Sequence, residues 1–169
     1  ILMAAMALTR ADGGTLYLRS DDGKALNFAI MRNQSLHIAL GGTSGQAIDV
    51  PPLSLRQADG TANDQLVAVW AVFNDTTVNI ADASQHTSGG FDFSGPRDFD
   101  RRTGYRSRSF LTVPMKDHEG EIIGVLQLIN AIDSTSGKVI EFSPGDQRLA
   151  ESLASQAAIA LTNLSRSEE

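Results

Sequence analysis

Apolar residues recur with helical spacing at both ends of the chain. Residues 1–10 form an apolar run rich in helix formers with no N-cap residue before it, which predicts the end of a helix excised from a longer chain. Near the other end, Ser143, Pro144 and Asp146 supply the cap, the first-turn proline and the first-turn acid of a helix start. We therefore expect a C-terminal helix over residues 143–164 with one buried face. The predicted apolar stripe consists of Leu149, Leu153, Ala157, Leu161 and Leu164.

Two segments between these helices have the pattern of β-hairpins. Apolar runs at residues 15–19 and 25–32 flank an Asp-Asp-Gly turn, and runs at 110–116 and 121–130 flank an Asp-His-Glu-Gly turn. The last run is almost continuously apolar, which indicates a central strand covered on both faces. Within it, Gly124 predicts a bulge or close packing by a helix.

The middle of the chain is less regular. Residues 64–73 have helical apolar spacing, and we expect Trp70 and Phe73 to lie in the core because aromatic side chains bury large apolar areas. Residues 78–80 predict a short strand. Residues 81–108 are polar, glycine-containing and aromatic without clear periodicity, which is typical of a binding loop or lid. We expect this segment to face a ligand.

The order of these elements predicts one α+β domain over residues 1–169, with the sheet and pocket region at 12–130. Fourteen Lys and Arg against twenty Asp and Glu give a net charge of −6, which argues against a surface that neutralises nucleic-acid phosphates. Cysteine is absent, which excludes disulfides, thiolate metal sites and thiol nucleophiles. No apolar run reaches the roughly 18 residues typical of a bilayer span. We expect neither a nucleic-acid partner nor a membrane contact.

Six short motifs occur in a fixed order between Asp12 and Asn163. They are residues 14–18, residues 78–83, Asp100 with 103–109, residues 113–115, residues 124–130, and Phe142 with Asp146. In order and spacing these motifs resemble a GAF domain, the sensory module of cyclic-nucleotide phosphodiesterases, some adenylyl cyclases and many bacterial signalling proteins. The resemblance implies a profilin-like, six-stranded antiparallel sheet with helices on both faces. It also implies a ligand pocket under the loops of one face, and terminal helices that pack together and pair between subunits.

The resemblance also implies a set of ligand contacts. Carried over residue by residue, the contacts of cyclic-nucleotide-binding members fall on Thr15, Met31, Arg32, Ala68, Ile80, Asp100, Thr103 and Ser107. The three hydroxyls can donate hydrogen bonds to phosphate or ribose oxygens, and the Asp100 carboxylate can accept one from a base or sugar. Met31 and Arg32 depart from the pattern, because nucleotide-binding relatives can place an aromatic residue and an acid there to recognise the purine.

A second departure concerns the family's Asn-Lys…Phe-x-x-x-Asp-Glu signature. Asn130, Phe142 and Asp146 are present, but Ala131 replaces the lysine and Gln147 replaces the final glutamate. The lysine–aspartate pair of the family cannot form. Because that pair resembles a structural clasp more than a ligand contact, its loss makes cyclic-nucleotide binding less favoured without excluding it.

The loop over residues 81–108 carries a cluster of cations whose role has two interpretations. Its arginines are Arg97, Arg101, Arg102, Arg106 and Arg108. They can form an anion site, since guanidinium groups match phosphate and carboxylate geometry. The alternative, which we favour, is that they pair with Asp92, Asp98 and Asp100 or are solvated.

Three hypotheses about function follow. The first is a non-catalytic sensory domain that binds a small polar or anionic ligand, with a cyclic nucleotide as one candidate, and has no other cofactor. Residues 12–18 are similar to GAF domains upstream of bacterial HD-type phosphohydrolases, which suggests an HD-type phosphodiesterase as a C-terminal output domain. We expect the protein to be a cytoplasmic homodimer. The second is a ligand-free dimerisation module. The third is a metal or haem sensor using His86 or His37, although no pair of histidines has helical ligand spacing. No G-x-S-x-G elbow or carboxylate motif indicates catalysis.

Overall fold

The computed structural model of the protein describes residues 1–83 and 90–167, with side chains described as far as Leu164. These residues form four α-helices and eight strands around one antiparallel sheet. The helices are α1 (Leu2–Thr9), α2 (Val67–Asn74), α3 (Ser94–Thr103) and α4 (Pro144–Ser167). The strands are β1 (Ala11–Arg19), β2 (Ala25–Asn33), β3 (Ile38–Gly41), β4 (Leu53–Ser54), β5 (Val78–Ile80), β6 (Phe110–Lys116), β7 (Ile122–Ile132) and β8 (Val139–Ile140).

Six strands form the body of the sheet in the order β3-β2-β1-β7-β6-β5, as expected for a six-stranded sheet. Two-residue strands β4 and β8 extend it by pairing with β2 and β7. The register places Thr15 of β1 opposite Met31 of β2 and Gln127 of β7, and places Gln127 opposite Thr112 of β6. Because side chains opposite one another in a sheet share a face, these four residues form one row across the sheet.

Helices cover both faces of the sheet. On one face, α1 and α4 pack together over a core that includes Leu2, Met6 and Phe142, each at most 2% exposed. On the other face, α2 packs over a core built on Leu26, Val69 and Val125. The expected contact between the terminal helices is therefore present within the domain.

Two local expectations from the sequence have different outcomes. The bulge expected at Gly124 is confirmed: in the β6–β7 ladder Met115 pairs with Gly124 and Lys116 with Ile122, which leaves Ile123 of β7 as the extra residue. Glycine is needed there because a Cβ would lie 2.3 Å from the Tyr17 carbonyl oxygen, where β7 meets β1. Phe73 is 39% exposed and is not a core residue; the Arg56 guanidinium lies 5.2 Å from its ring centroid. Trp70 is half-buried.

The start of α4 is as predicted, and its buried face agrees with the predicted stripe in part, at Ala157, Leu153 and Leu161. Ser143 Oγ accepts a hydrogen bond from the Asp146 N–H at 3.0 Å, and the Asp146 carboxylate accepts one from the Ser143 N–H at 3.0 Å. The residues that α4 buries fully are alanines: Ala150, Ala154, Ala157 and Ala158. Of the predicted stripe, Leu153 and Leu161 pack at the edge of this core, and Leu164 is 59% exposed. The small side chains allow α4 to lie close to the sheet.

The segment 81–108 is not a continuous loop. Helix α3 lies within it and ends at Gly104, whose positive φ of 77° and N–H bond to the Asp100 carbonyl terminate the helix. The helix was not predicted because Phe99 is its only large apolar residue and none of its residues is fully buried. We call residues 94–109 the lid, since they cover a cavity on the α2 side of the sheet.

Candidate functional site

A cavity of about 250 Å³ lies between the sheet and the lid. Its walls are mostly apolar and include Phe28 of β2, Ala68 of α2 and Phe99 of α3. Its floor is the face of the sheet that carries Thr15 and Gln127. A mostly apolar cavity with a few polar groups is the usual form of a small-molecule site.

The polar side chains of the cavity floor, Thr15 and Gln127, are positioned by the register of β1 and β7 and by the buried hydroxyl of Tyr17. Tyr17, two residues along β1 from Thr15, donates a hydrogen bond from its hydroxyl to Gln127 Oε1 at 3.3 Å. Burial raises the pKa of Tyr17, so the phenol stays protonated and remains a donor. Its ring packs against Phe28 at a centroid distance of 4.8 Å. This packing fixes the group that orients Gln127.

Two polar atoms on the floor are available to a ligand. Within the described parts of the chain, neither the Thr15 hydroxyl nor Gln127 Nε2 forms a hydrogen bond. Thr112 Oγ1 is inaccessible to solvent and has no hydrogen-bond partner among the described residues. The Thr15 hydroxyl and Gln127 Nε2 are not inaccessible in this way, so they can be reached from the cavity that both residues line.

Hydrogen bonds within the lid fix the turn that follows α3. The Asp100 carboxylate accepts hydrogen bonds from the Ser107 N–H at 2.9 Å and from the Ser107 hydroxyl at 2.8 Å. The Thr103 hydroxyl donates to the Phe99 carbonyl at 2.8 Å and accepts from the Tyr105 N–H at 3.3 Å. These bonds fold the chain back at the end of α3.

A second set of bonds attaches the lid to the sheet. The Tyr105 hydroxyl donates to the Asp12 carboxylate at 2.6 Å, and burial followed by the Asp12 bond raises the pKa of Tyr105. Asn130, which has a positive φ of 59°, accepts from the N–H groups of Arg108 and Ser109 and donates to the Arg106 carbonyl. Asp12 is the second residue of β1 and Asn130 lies two residues before the end of β7, so the lid is attached near the connection from α1 to β1 and near the end of β7.

The structure brings five of the eight residues predicted as ligand contacts to the cavity. These are Thr15, Met31, Arg32, Ala68 and Ser107. Ile80 packs instead in the core with Phe93 and Phe110, while Asp100 and Thr103 shape the lid from outside the lining. Ligand binding by any of the eight stays a prediction.

Sequence reasoning missed Gln127 and the Asp12–Tyr105 bond. Gln127 had a signal: it is a polar residue within the otherwise apolar run of β7, and a polar residue that points into a covered face needs a partner. The Asp12–Tyr105 bond joins residues 93 positions apart and had no local signal.

The cations near the cavity are largely engaged by the protein. Arg32 donates to the carbonyls of Met31, Leu40 and Gly41. Arg101 and Arg102 form exposed ion pairs with Asp98, in agreement with the pairing interpretation, and Arg108 pairs with Asp82, a partner that was not predicted. Of the five lid arginines, Arg102 borders the cavity. At the rim, the bond from the Ser94 N–H and the nearby Arg97 charge lower the pKa of Asp92.

Two further searches cover only the described residues. They contain no group of three or more His, Cys, Asp or Glu side chains placed to hold a metal ion. None of their helices is both long enough and apolar enough to cross a bilayer. His86, one of the two histidines of the metal or haem hypothesis, lies outside the described residues.

An antiparallel sheet with helices on both faces and a covered cavity on one of them is an α+β architecture with a site of small-molecule size. The chain belongs to the GAF family: the family model of the GAF domain matches residues 1–161. It is therefore a regulatory, sensory domain.

Two curated relatives are cyclic-nucleotide phosphodiesterases. The chain is 38% identical over 87 residues to a dual 3',5'-cyclic-AMP and -GMP phosphodiesterase 11A from Takifugu rubripes, covering 52% of this chain and 8% of the relative. It is 35% identical over 86 residues to the phosphodiesterase 11 of Drosophila melanogaster, covering 51% of this chain and 5% of the relative. The chain thus spans less than a tenth of the length of either relative.

Solved GAF structures share the fold at low sequence identity. The GAF domain of a phosphoenolpyruvate-protein phosphotransferase from Coxiella burnetii superposes with a TM-score of 0.66 at 16% identity, covering 99% of this chain and 80% of that one. The second GAF domain of DevS from Mycobacterium smegmatis gives a TM-score of 0.60 at 16% identity, covering 99% and 94%. At this identity the likeness concerns the fold.

Proposed function

We propose that this GAF domain binds a small molecule in the cavity beneath the lid, and that binding changes its conformation and thereby regulates an output domain that follows it in the same chain. The observation that carries the proposal is the pair of available polar atoms, Thr15 Oγ1 and Gln127 Nε2, on the floor of a cavity closed by a lid. Polar groups inside an apolar cavity lose hydration unless something bonds them, so a ligand that does so gains affinity and orientation.

Cyclic nucleotides are the first ligands to test. The proposal draws on the relatives, whose names describe phosphodiesterases acting on cyclic AMP and cyclic GMP. An HD-type phosphodiesterase and a cytoplasmic location remain predictions from the sequence resemblance.

The hydrogen bonds between the lid and the sheet suggest how ligand binding in the cavity could affect the terminal helices. Asp12, which binds Tyr105 of the lid, lies three residues beyond the end of α1. Asn130, which binds the lid backbone, lies next to Ala131, itself paired with Ala11 at the start of β1. A ligand that orders or displaces the lid would therefore alter the hydrogen bonds of Asp12 and Asn130, which lie close to the end of α1. It shifts the equilibrium between two arrangements of the terminal helices only if it binds one arrangement more tightly than the other.

A thermal-shift screen tests the binding. The purified domain is melted with cyclic AMP, cyclic GMP, cyclic dinucleotides and common metabolites; a ligand at a hundred times its dissociation constant adds about 2.7 kcal/mol of stability. Thr15→Val should weaken the response at least several-fold, whereas the matched control Thr135→Val, at an exposed turn residue outside the lining, should not. A cooperative melt with no shift for any compound contradicts ligand binding.

The dimerisation alternative has an observation of its own. Large apolar side chains remain exposed on both terminal helices: Met3 at 53%, Leu8 at 57%, Ile159 at 38% and Leu164 at 59%. We propose that two copies pair through these helices, whether or not a ligand binds. Light scattering should show a dimer that Leu164→Glu converts to monomer. Ile140→Glu, at a 45% exposed apolar residue outside the helices, is the matched control; a dimer mass that survives Leu164→Glu and Leu8→Glu together would reject the pairing.

A further inference from the structure

We propose that Gln127 selects ligands that present a neutral hydrogen-bond acceptor, such as a ring carbonyl oxygen, because Tyr17 fixes the orientation of its side-chain amide. This inference rests on the proposed ligand binding and specifies its chemistry. It concerns a residue outside the eight predicted contacts.

The orientation follows from satisfying the buried phenol. The Tyr17 hydroxyl, on a residue that is 7% exposed, donates to Gln127 Oε1 at 3.3 Å. If the amide were reversed, Nε2 would face the hydroxyl, and the phenol hydrogen would lose the one acceptor that the described residues give it. An unsatisfied buried donor is costly, so the bond holds Oε1 toward Tyr17. The other end of the amide, Nε2, is then an N–H donor for the cavity.

Thr15 reinforces this pattern from the neighbouring strand. It is directly opposite Gln127 in the β1–β7 ladder, on the same face, and both residues line the cavity. A hydroxyl both donates and accepts, whereas an amide NH₂ only donates. A ligand edge that carries a carbonyl oxygen beside a ring N–H would satisfy the amide with its oxygen and the hydroxyl with either group. Where the exocyclic group of the ring lies at Nε2, an oxo group accepts the amide N–H, whereas an amino group places a second donor against it.

The charges around the cavity favour a neutral acceptor over a phosphate. Among the described residues no lysine lines the cavity, and its two arginines are engaged: Arg32 with backbone carbonyls and Arg102 with Asp98. Phe28 and Met31 supply apolar walls next to the floor. The volume of about 250 Å³ is below the range of roughly 300–1,000 Å³ of typical drug-sized sites, which suits one or two fused rings. The favoured class is a planar heterocycle with a ring carbonyl.

Hypoxanthine and adenine are suitable probes because they have the same fused-ring skeleton and differ on one edge, where an oxo group and N–H replace an amino group and a bare nitrogen. Binding of each to the purified domain is measured by ligand-observed NMR titration. We expect hypoxanthine to bind about tenfold more tightly, since one mispaired buried donor costs on the order of 1–3 kcal/mol. Adenine binding as tightly as hypoxanthine would overturn the proposal.

Variants separate selection by Gln127 from general loss of binding. Gln127→Glu replaces the donor with an acceptor and should reverse the preference toward adenine. Tyr17→Phe releases the amide and should reduce the preference to within about twofold while both probes still bind. Gln147→Glu, the same exchange on α4 outside this cavity, is the matched control and should leave the preference unchanged. Each variant is checked by its melting temperature and by the fluorescence of Trp70, the single tryptophan.

The outcomes distinguish this inference from the proposed function. If a compound of the thermal-shift screen binds while neither purine does, the ligand class is wrong and the proposed function stands. If the purines bind but Gln127→Glu and Tyr17→Phe leave the preference unchanged, the role of Gln127 is wrong. If neither the screen nor the purines give binding, both proposals fail.

Discussion

Removing the hydroxyl of Tyr105 should loosen the attachment of the lid to β1 and destabilise the whole domain. The Tyr105 hydroxyl donates to Asp12 Oδ2 at 2.6 Å, and Asp12 is only 8% exposed. In Tyr105→Phe the ring remains but the carboxylate loses this donor. The Ser35 N–H still donates to Asp12 Oδ1 at 3.2 Å, so Asp12 keeps one described partner.

The size of the effect follows from the charge of the acceptor. Hydrogen bonds to charged groups contribute about 1.5–3 kcal/mol, so we expect the free energy of unfolding to fall by about 2 kcal/mol. For a domain of this size that corresponds to a melting temperature lower by about 4–8 °C. Tyr17→Phe is the comparison, since its 3.3 Å bond to a neutral amide should contribute about 1 kcal/mol or less.

Urea unfolding followed by circular dichroism measures the change, with Asp12→Asn and the double variant completing a cycle. Hydrogen bonds to charged groups are roughly twice as strong as neutral ones, so Tyr105→Phe should cost about half as much in the Asp12→Asn background. A loss under about 0.5 kcal/mol in the wild-type background, or the same loss in both backgrounds, would refute the assignment of a buried charge-assisted bond between lid and sheet.

Three other predictions concern stability. Gly124→Ala should cost at least about 2 kcal/mol, because its Cβ would lie 2.3 Å from the Tyr17 carbonyl oxygen, whereas Gly95→Ala on α3, with nothing within 4 Å, should be neutral or stabilising by up to about 1 kcal/mol in the same urea assay. Thr112→Val removes a buried hydroxyl that has no partner among the described residues and should leave the melting temperature unchanged or higher; a clear decrease would mean that the hydroxyl is bonded. The pKa values of Tyr17 and Tyr105 are raised from an ordinary 10.0, so the stability that the two protonated phenols contribute is complete below pH 10 and is lost as the pH rises above it. The free energy of unfolding should therefore fall above pH 10, and it should fall less in Tyr105→Phe.

The hairpins and the start of the last helix could be predicted from sequence because their causes are local. The Asp-Gly turn before Lys24 requires a positive φ, which Gly23 supplies at 73°. Ser143 and Asp146 form their capping bonds within four residues of chain. Helix α3 was missed for the complementary reason: it covers a cavity instead of packing into the core, and Phe99 is its only large apolar residue, which is too few for an apolar stripe in the sequence.

The candidate site was only partly predictable. The sequence motifs indicated the correct strands and the lid, but not which side chains of those elements reach the cavity. Asp100 and Ser107 both belong to the motif, yet they bond each other, which leaves Ser107 at the lining and Asp100 behind it. Whether a polar side chain binds the protein or remains available to a ligand depends on neighbours that are distant in sequence.

The sequence by itself determined the class of this protein. Periodicity, turns and caps, each set by residues a few positions apart, predicted an antiparallel α+β domain, and six motifs added the resemblance to a GAF domain, which implied that the terminal helices pack together. Only the tertiary structure decided that Thr15 and Gln127, 112 positions apart, are opposite each other on the floor of one cavity, and that Tyr17 orients the amide between them. Strand register sets such contacts, because a shift of one residue moves every side chain of a strand to the other face of the sheet.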